Sequence, residues 1–241
     1  MKITREKISL TLKIMTASVS FLGIALSFIF AKEEGYSSWY IRILYFTLQS
    51  NLWIGVTLFI LSLKSLFNFS QKTLQKLYVL KYIFTVSITV TFVVFWTLLA
   101  PFAYMNNYNP WSASSLTTHL FVPMFAIVDF FVDDNSIEFR KGSVLYSTVP
   151  PLIYLIITSI LCVMGLDFGR GDAYPYFFLN YYSPAGLFGF VKEPLALGSV
   201  YWILLFLVMV LSFGIVLKAL HSSSKNNRRD KSKKGNVKQN I

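Results

Sequence analysis

The sequence predicts an all-α membrane protein, a polytopic bundle of six transmembrane helices with both termini in the cytoplasm. Of the 241 residues, 55% are apolar and only 14% are charged, whereas soluble domains carry about 25% charged residues. The mean hydropathy is +0.57. Six long apolar stretches and an uneven distribution of basic residues supply the number of spans and their orientation.

Each predicted span is an apolar run close to the length that a helix needs to cross the membrane. A hydrocarbon core of about 30 Å requires about 20 residues in helical conformation. The first run is a retained span rather than a signal peptide, because it is longer than the 7–15 residues typical of a signal sequence. The six spans cover 8–30, 39–63, 77–103, 116–132, 144–166 and 195–217.

Lys and Arg accumulate in the cytoplasmic loops of membrane proteins. With the N-terminus inside, 18 of the 22 basic residues lie on the cytoplasmic side. Only Lys32, Arg42, Arg170 and Lys192 fall outside. The eighteen are Lys2, Arg5, Lys7, Lys13, Lys64, Lys72, Lys76, Lys81, Arg140, Lys141, Lys218 and seven residues of the C-terminal tail.

The chain therefore divides into a membrane domain, 1–221, and a basic cytoplasmic tail, 222–241. The tail contains seven basic residues against Asp230 and lacks aromatics, so it is expected to be disordered and to contact anionic lipid head groups. Nucleic-acid binding is not expected, because no aromatic side chain accompanies the charges. One cysteine, Cys162, and two histidines argue against a disulfide and a metal centre, and no cofactor motif occurs.

Polar side chains inside the second span form the first candidate site. Thr47, Ser50 and Asn51 have i, i+3, i+4 spacing and share one helical face, while Gln49 points the other way. Such residues often join membrane helices by hydrogen bonds. A functional site and a helix–helix contact both remain open for this face.

His119 in the fourth span is the second candidate. Pro123 has no N–H, so the carbonyl of His119 loses its helical partner and the helix can kink there. The predicted topology places Thr47 and His119 in the same outer half of the membrane, and imidazole is the usual base for a hydroxyl nucleophile. His221 lies at the opposite end. A histidine that only makes an interfacial hydrogen bond is the alternative.

Two further features are the intramembrane residue Asp129 and an aromatic segment between the last two spans. Asp129 lies about 15 Å along the helix from His119, too far to orient the imidazole, and is expected to form an acidic cytoplasmic end with Asp133 and Asp134. The aromatic segment 172–182 either anchors the protein at the interface or covers a pocket above Thr47 and His119.

The motif Tyr45-Phe46-Thr47-Leu48-Gln49-Ser50-Asn51, His119 four residues before Pro123, and the segment Tyr174-Pro175-Tyr176-Phe177-Phe178-Leu179 resemble the androgen-induced gene 1/androgen-dependent TFPI-regulating protein family. The resemblance covers 8–217 in span layout. Animal members are intramembrane threonine hydrolases that cleave fatty acid esters of hydroxy fatty acids, which implies Thr47 as nucleophile and His119 as its partner. Gln49-Ser50-Asn51 and Asp129 look like the bacterial six-span branch, which implies a bacterial cytoplasmic membrane.

The leading hypothesis is thus an intramembrane hydrolase of lipid esters that needs no cofactor. Its partners are a lipid substrate and the surrounding membrane lipids, and Ser50 or Asn51 would donate to the oxyanion. A small transporter or channel, with Asp129 at its inner mouth, and a non-catalytic membrane scaffold are the alternatives.

Overall fold

The computed structural model describes residues 2–106, 108–133, 139, 142–169, 171–192 and 196–239. Arg140, Lys141, Arg170, Asp134 and the predicted start of the last span at Leu195 lie outside these residues. The regular secondary structure of the described residues is helical, apart from one two-stranded hairpin of β1 (Phe190–Val191) and β2 (Ala196–Leu197). The helices are α1 (Lys2–Ile29), α2 (Phe46–Ser62), α3 (Gln71–Val94), α4 (Ala113–Leu116), α5 (Val122–Val132), α6 (Ser143–Tyr146), α7 (Val149–Val163) and α8 (Ser199–Gln239).

Five helical segments in the described residues are long and apolar enough to cross a membrane. The coarse prediction of a helical membrane bundle is thereby confirmed. The remaining predicted span, the second, corresponds to the shorter α2 of 17 residues. The five long segments are Arg5–Ile29, Gln71–Ala103, Ala113–Val132, Ser143–Val163 and Ser199–Ser224.

The second predicted span is broken near its beginning. Trp39–Leu44 form a 3₁₀ turn, and Tyr45 has an extended backbone (φ −86°, ψ 136°) before α2 starts at Phe46. The Tyr45 hydroxyl donates to the carbonyl of Phe168 at 3.0 Å, so a distant loop holds the break. The prediction of one continuous helix over 39–63 is wrong, and Thr47 is the second residue of a helix rather than two turns inside one.

Helix α8 also differs from its predicted bounds. The hairpin occupies the region where the last span was expected to begin, and the helix starts at Ser199. It then continues to Gln239, through the segment for which polar composition predicts disorder. Once a helix exists, each added residue costs little, so the apolar part of α8 provides the nucleus for this extension.

Small residues bring α1 close to its neighbours. A Cβ atom at Gly55 of α2 would lie 2.5 Å from Ser20 Oγ, and one at Gly23 of α1 would lie 2.8 Å from Thr117 Oγ1. Ser20 Oγ donates to the carbonyl of Asn51 at 2.7 Å. Glycine and serine allow such backbone approach between membrane helices.

Four buried charged residues, Lys13, Lys81, Asp129 and Asp133, form a charge cluster between α1, α3 and the end of α5. Lys81 Nζ lies 2.6 Å from carboxylate oxygens of both aspartates, and Lys13 Nζ lies 3.1 Å from Asp129 and 2.9 Å from Asp133. Ser9 Oγ also donates to Asp129, at 2.7 Å.

The charge cluster changes two of the predictions. Lys13 and Lys81 were assigned to the cytoplasmic charges, but at 2% and 1% exposure they belong to the protein interior. Asp129 lies near the end of α5 beside Asp133, as expected, but it is fully buried against the two lysines. Burial disfavours the charged form of Asp133, but the ammonium groups of Lys81 and Lys13 outweigh this and hold its pKa well below its usual range.

Candidate active site

Thr47 is a buried residue in the first turn of α2. The N-cap residue, Tyr45, provides no side-chain cap, and the first backbone bonds of α2 run from the amides of Leu48 and Gln49 to the Tyr45 carbonyl. The amides of Phe46 and Thr47 precede these donors and have no intrahelical acceptor, as is general for a first helical turn. Partial positive charge therefore accumulates beside the Thr47 hydroxyl.

His119 lies in a widened turn of the chain. Thr117–Phe121 form a π-helical turn between α4 and α5, and Phe95–Leu99 form a second π-helical turn after α3. The rings of Phe95 and His119 are stacked, with centroids 3.6 Å apart and planes 16° apart. Turns of this kind are frequent at functional sites.

The carbonyl that Pro123 frees is satisfied from another helix. Trp96 Nε1 donates to the carbonyl of His119 at 3.0 Å. Pro123 predicted that this carbonyl would lose its helical partner. The sequence did not predict that the indole of Trp96 would donate to it instead. The bond ties the backbone of His119 to the turn that carries Phe95.

The hydrogen bonds of His119 indicate its tautomer. Nδ1 lies 3.1 Å from the carbonyl of Ser115, which can only accept. It also lies 3.2 Å from Thr118 Oγ1, whose own proton goes to the carbonyl of Ser114 at 2.8 Å. Nδ1 therefore carries the proton, and Nε2 is left with the lone pair that a general base needs.

Thr47 and His119 line the same cavity, which has a volume of about 450 Å³ and is called the polar cavity. Phe95 and Leu48 contribute apolar surface to its wall, and Arg42 contributes a positive charge. Both residues that the sequence assigns to catalysis therefore line this cavity. The other lining residues are Tyr36, Tyr45, Leu99, Ala103, Tyr108, Asp172, Tyr174, Pro175, Tyr176 and Phe177.

A second cavity of about 100 Å³ begins on the other side of Thr47. Most of its wall is hydrocarbon or aromatic, so it is called the apolar cavity. Four residues line both cavities and mark their junction: Thr47, Phe95, Leu99 and Tyr176. The remaining residues of the apolar cavity include Val90, Val94, Tyr154, Leu155, Phe178 and Phe206.

Ser50 and Asn51 do not have the oxyanion role predicted for them. Both are fully buried, and neither lines either cavity. Asn51 Nδ2 donates to the carbonyls of Thr47 at 2.8 Å and Thr118 at 3.0 Å, so both of its hydrogens are used. Ser50 Oγ lies 3.0 Å from the Thr47 carbonyl and 2.9 Å from Thr91 Oγ1.

Asn51 instead fixes the spacing between the two candidate catalytic elements. Its amide joins the carbonyl of Thr47 to the carbonyl of Thr118, the residue before His119. The helix–helix reading of the polar face therefore applies to Ser50 and Asn51, while Thr47 alone reaches the cavities.

The aromatic segment after α7 covers the candidate site. Asp172, Tyr174, Pro175, Tyr176 and Phe177 all line the polar cavity, which favours the covering role over simple interfacial anchoring. Burial raises the pKa of Tyr176 to about 12, although hydrogen bonding to the Thr47 side chain and to the backbone of Thr47 and Phe46 opposes the rise. Its hydroxyl therefore stays protonated at neutral pH and lies beside the proposed nucleophile.

Sequence reasoning missed Arg42, which it treated only as a loop charge. Arg42 is 6% exposed, and its Nη1 lies 2.7 Å from Glu34 Oε2. Its guanidinium stands over the Tyr36 ring, 4.6 Å from the centroid. A basic residue within a run of apolar residues was the available signal, because a charge there requires a partner or a polar cavity.

No family model, curated protein or solved structure matches the chain.

Proposed function

We propose that the chain is an intramembrane threonine hydrolase that cleaves lipid esters. The observation that carries this proposal is the placement of Thr47 and His119 on one cavity wall, with the imidazole lone pair unblocked. The resemblance to the androgen-induced gene 1 family supports the same residues in the same roles.

In the proposed reaction, Thr47 Oγ1 attacks the ester carbonyl carbon while His119 Nε2 takes the hydroxyl proton. The tetrahedral intermediate collapses, the bond to the alcohol oxygen breaks, and His119 returns the proton to the leaving alcohol. A water molecule, deprotonated by His119, then attacks the acyl carbon of the acyl-threonine. The bond from that carbon to Thr47 Oγ1 breaks, His119 returns the proton to Thr47 Oγ1, and the carboxylic acid leaves. The carbonyl of Ser115 orients the ring throughout, in place of the carboxylate of a conventional triad.

The two cavities support a lipid as the substrate. A hydrocarbon chain fits the apolar cavity, where its burial contributes roughly 0.8 kcal/mol per methylene group. The ester then lies at Thr47, and the more polar part of the molecule extends toward Arg42 in the polar cavity. This arrangement places the scissile bond at the junction of the two cavities.

The proposal includes six spans with both termini in the cytoplasm, in a bacterial cytoplasmic membrane. α2 is short for a span, but the 3₁₀ turn Trp39–Leu44 extends it. The distribution of basic residues supports this orientation, and it places the two cavities toward the outer leaflet, where the covering segment would face the exterior.

Covalent labelling of the purified protein by a lipid-like fluorophosphonate tests the proposal. We expect labelling of the wild type, none of Thr47→Ala and at least about a hundredfold slower labelling of His119→Ala. Thr57→Ala is the matched control, because Thr57 lies on the same helix and bonds only the carbonyl of Trp53 at 2.8 Å. His221→Ala controls for loss of a histidine.

The rate of hydrolysis of 4-methylumbelliferyl fatty acyl esters should change in the same way: it should be lost in Thr47→Ala, reduced in His119→Ala and unchanged in the two controls. Folded Thr47→Ala protein that labels and hydrolyses as the wild type does would disprove the proposal. So would a folded wild type that does neither.

A further inference from the structure

The carbonyl oxygen of an ester becomes negatively charged when the nucleophile attacks, and hydrogen-bond donors must meet it there. Since Ser50 and Asn51 are engaged elsewhere, other groups must supply these donors. The candidates are the polar groups that face Thr47 across the two cavities.

The first such group is Tyr154 of α7. Its side chain is 7% exposed, and its hydroxyl is enclosed without forming a hydrogen bond to any described residue. The ring packs edge-on against Phe46, with centroids 5.2 Å apart, and the hydroxyl lies near the Thr158 side chain and the Phe46 backbone. A buried hydroxyl without a partner is costly, and this one lines the apolar cavity at the start of α2.

The second group is Tyr176 of the covering segment. Its ring packs against Tyr45 at 5.5 Å and Phe178 at 5.0 Å, so its position is fixed from two sides. Its hydroxyl lies beside the Thr47 side chain and the backbone of Phe46 and Thr47. Two phenolic hydroxyls from different parts of the chain thus converge on one helix start.

The amides of Phe46 and Thr47 complete the arrangement. They belong to the first turn of α2, which has no side-chain cap. A helix start whose first amides have no intrahelical acceptor favours negative charge, and the Tyr154 hydroxyl lies near the Phe46 backbone there. Hydroxyl and amide donors thus lie around the start of α2, in which Thr47 is the second residue.

We propose that the hydroxyls of Tyr154 and Tyr176, with the amides that begin α2, form the oxyanion site for the ester carbonyl. This inference rests on the proposed threonine hydrolase. The carbonyl oxygen gains the electron pair of the C=O bond during attack and gives it back when the alcohol leaves, so the tyrosines donate hydrogen bonds and transfer no proton.

The test uses Tyr154→Phe and Tyr176→Phe in the full-length protein, with a 4-methylumbelliferyl fatty acyl ester as substrate. Each substitution should lower kcat about 10- to 100-fold while KM changes less than about twofold, since the ester is not yet charged in the bound state. Tyr181→Phe is the matched control. It lies in the same segment, lines neither cavity, and its hydroxyl pairs with Ser159 at 2.6 Å.

Inhibition by a fatty acyl trifluoromethyl ketone provides the second readout, because its adduct carries the oxyanion that the ester lacks. Inhibition should weaken by the same factor as kcat in both variants and stay unchanged in Tyr181→Phe. Thermal unfolding in detergent identifies a variant that fails to fold, in which case the other tyrosine decides the question.

The outcomes separate the two proposals. If both tyrosine variants keep kcat and inhibition within about twofold of wild type while Thr47→Ala is inactive, the oxyanion site is wrong and the hydrolase stands. If Thr47→Ala retains full activity, the hydrolase proposal fails and the oxyanion site fails with it.

Discussion

Lys81 is the more enclosed of the two lysines in the charge cluster. It is 1% exposed and contacts both Asp129 and Asp133 at 2.6 Å. Removing one member of a buried ion pair leaves its partner charged without compensation, which costs far more than the pair contributes. The same enclosure gives no support to the channel alternative, in which Asp129 would stand at an open inner mouth.

We expect Lys81→Met to destabilise the protein by about 3–5 kcal/mol, seen as a lower midpoint of thermal unfolding in detergent. Adding Asp133→Asn to Lys81→Met should restore part of the loss, because it removes the unpaired charge. Lys72→Met, at an exposed position, should leave the midpoint unchanged. An unaltered midpoint in Lys81→Met would contradict an energetic role for the cluster.

At the residue scale, the sequence was informative where chemistry leaves few choices. His119 is one of two histidines in the sequence. Thr47 lies in the polar run of the second predicted span, and this run is also one of the motifs on which the family resemblance is based. The roles of Asn51 and Tyr154 could not be predicted, because they depend on which helices meet. A helical face indicates that side chains share a direction, but not which of them reaches a cavity.

At the scale of elements, the close approach of α1 to the π-helical turn Thr117–Phe121 positions His119. Gly23 makes that approach possible, because a Cβ there would meet Thr117 Oγ1 and Thr118 Cγ2, both at 2.8 Å. The carbonyl of Thr118 in turn accepts a hydrogen bond from Asn51 of α2. Displacing α1 would therefore shift the turn that carries the imidazole relative to Thr47.

We expect Gly23→Leu to lower ester hydrolysis at least about tenfold and to lower the unfolding midpoint, since overpacking of this kind costs about 1–3 kcal/mol. Gly142→Ala is the matched glycine control, because no heavy atom lies within 4 Å of a Cβ at that position. Wild-type activity in Gly23→Leu would show that the approach of α1 does not position the site.

The break before α2 is the element that sequence patterns missed. Residues 39–63 contain Gly55 as their only glycine and no proline, so hydropathy reads them as one span. The break at Tyr45 depends on the bond to the Phe168 carbonyl and on ring contacts with Tyr36 and Tyr176. Phe168 and Tyr176 are far from Tyr45 in sequence, and only the assembled fold brings them to it.

At the scale of the whole molecule, the helical membrane class follows from composition alone, whereas orientation rests on the basic residues. Burial of Lys13 and Lys81 removes two of the 18 charges assigned to the cytoplasmic side. Most of the asymmetry remains, because the tail alone contains seven basic residues. The predicted orientation is therefore directly testable.

Labelling with a membrane-impermeant maleimide tests that orientation in a Cys162→Ser background. Glu33→Cys lies in the loop before α2 and should react on intact cells. Lys72→Cys and Ser223→Cys should react only after permeabilisation. All three positions are exposed, so a lack of reaction reflects the membrane barrier. The opposite labelling pattern would show that the topology is inverted.

The charge cluster has a consequence for biosynthesis. Lys13 and Lys81 enter the bilayer on α1 and α3, well before the ribosome has made Asp129 and Asp133. A lone charge within the hydrocarbon costs roughly 2.5–3.5 kcal/mol by insertion scales, so the nascent chain has two uncompensated cations until α5 emerges. We therefore expect the early helices to stay beside the insertion machinery until α5 supplies Asp129 and Asp133 as counter-ions.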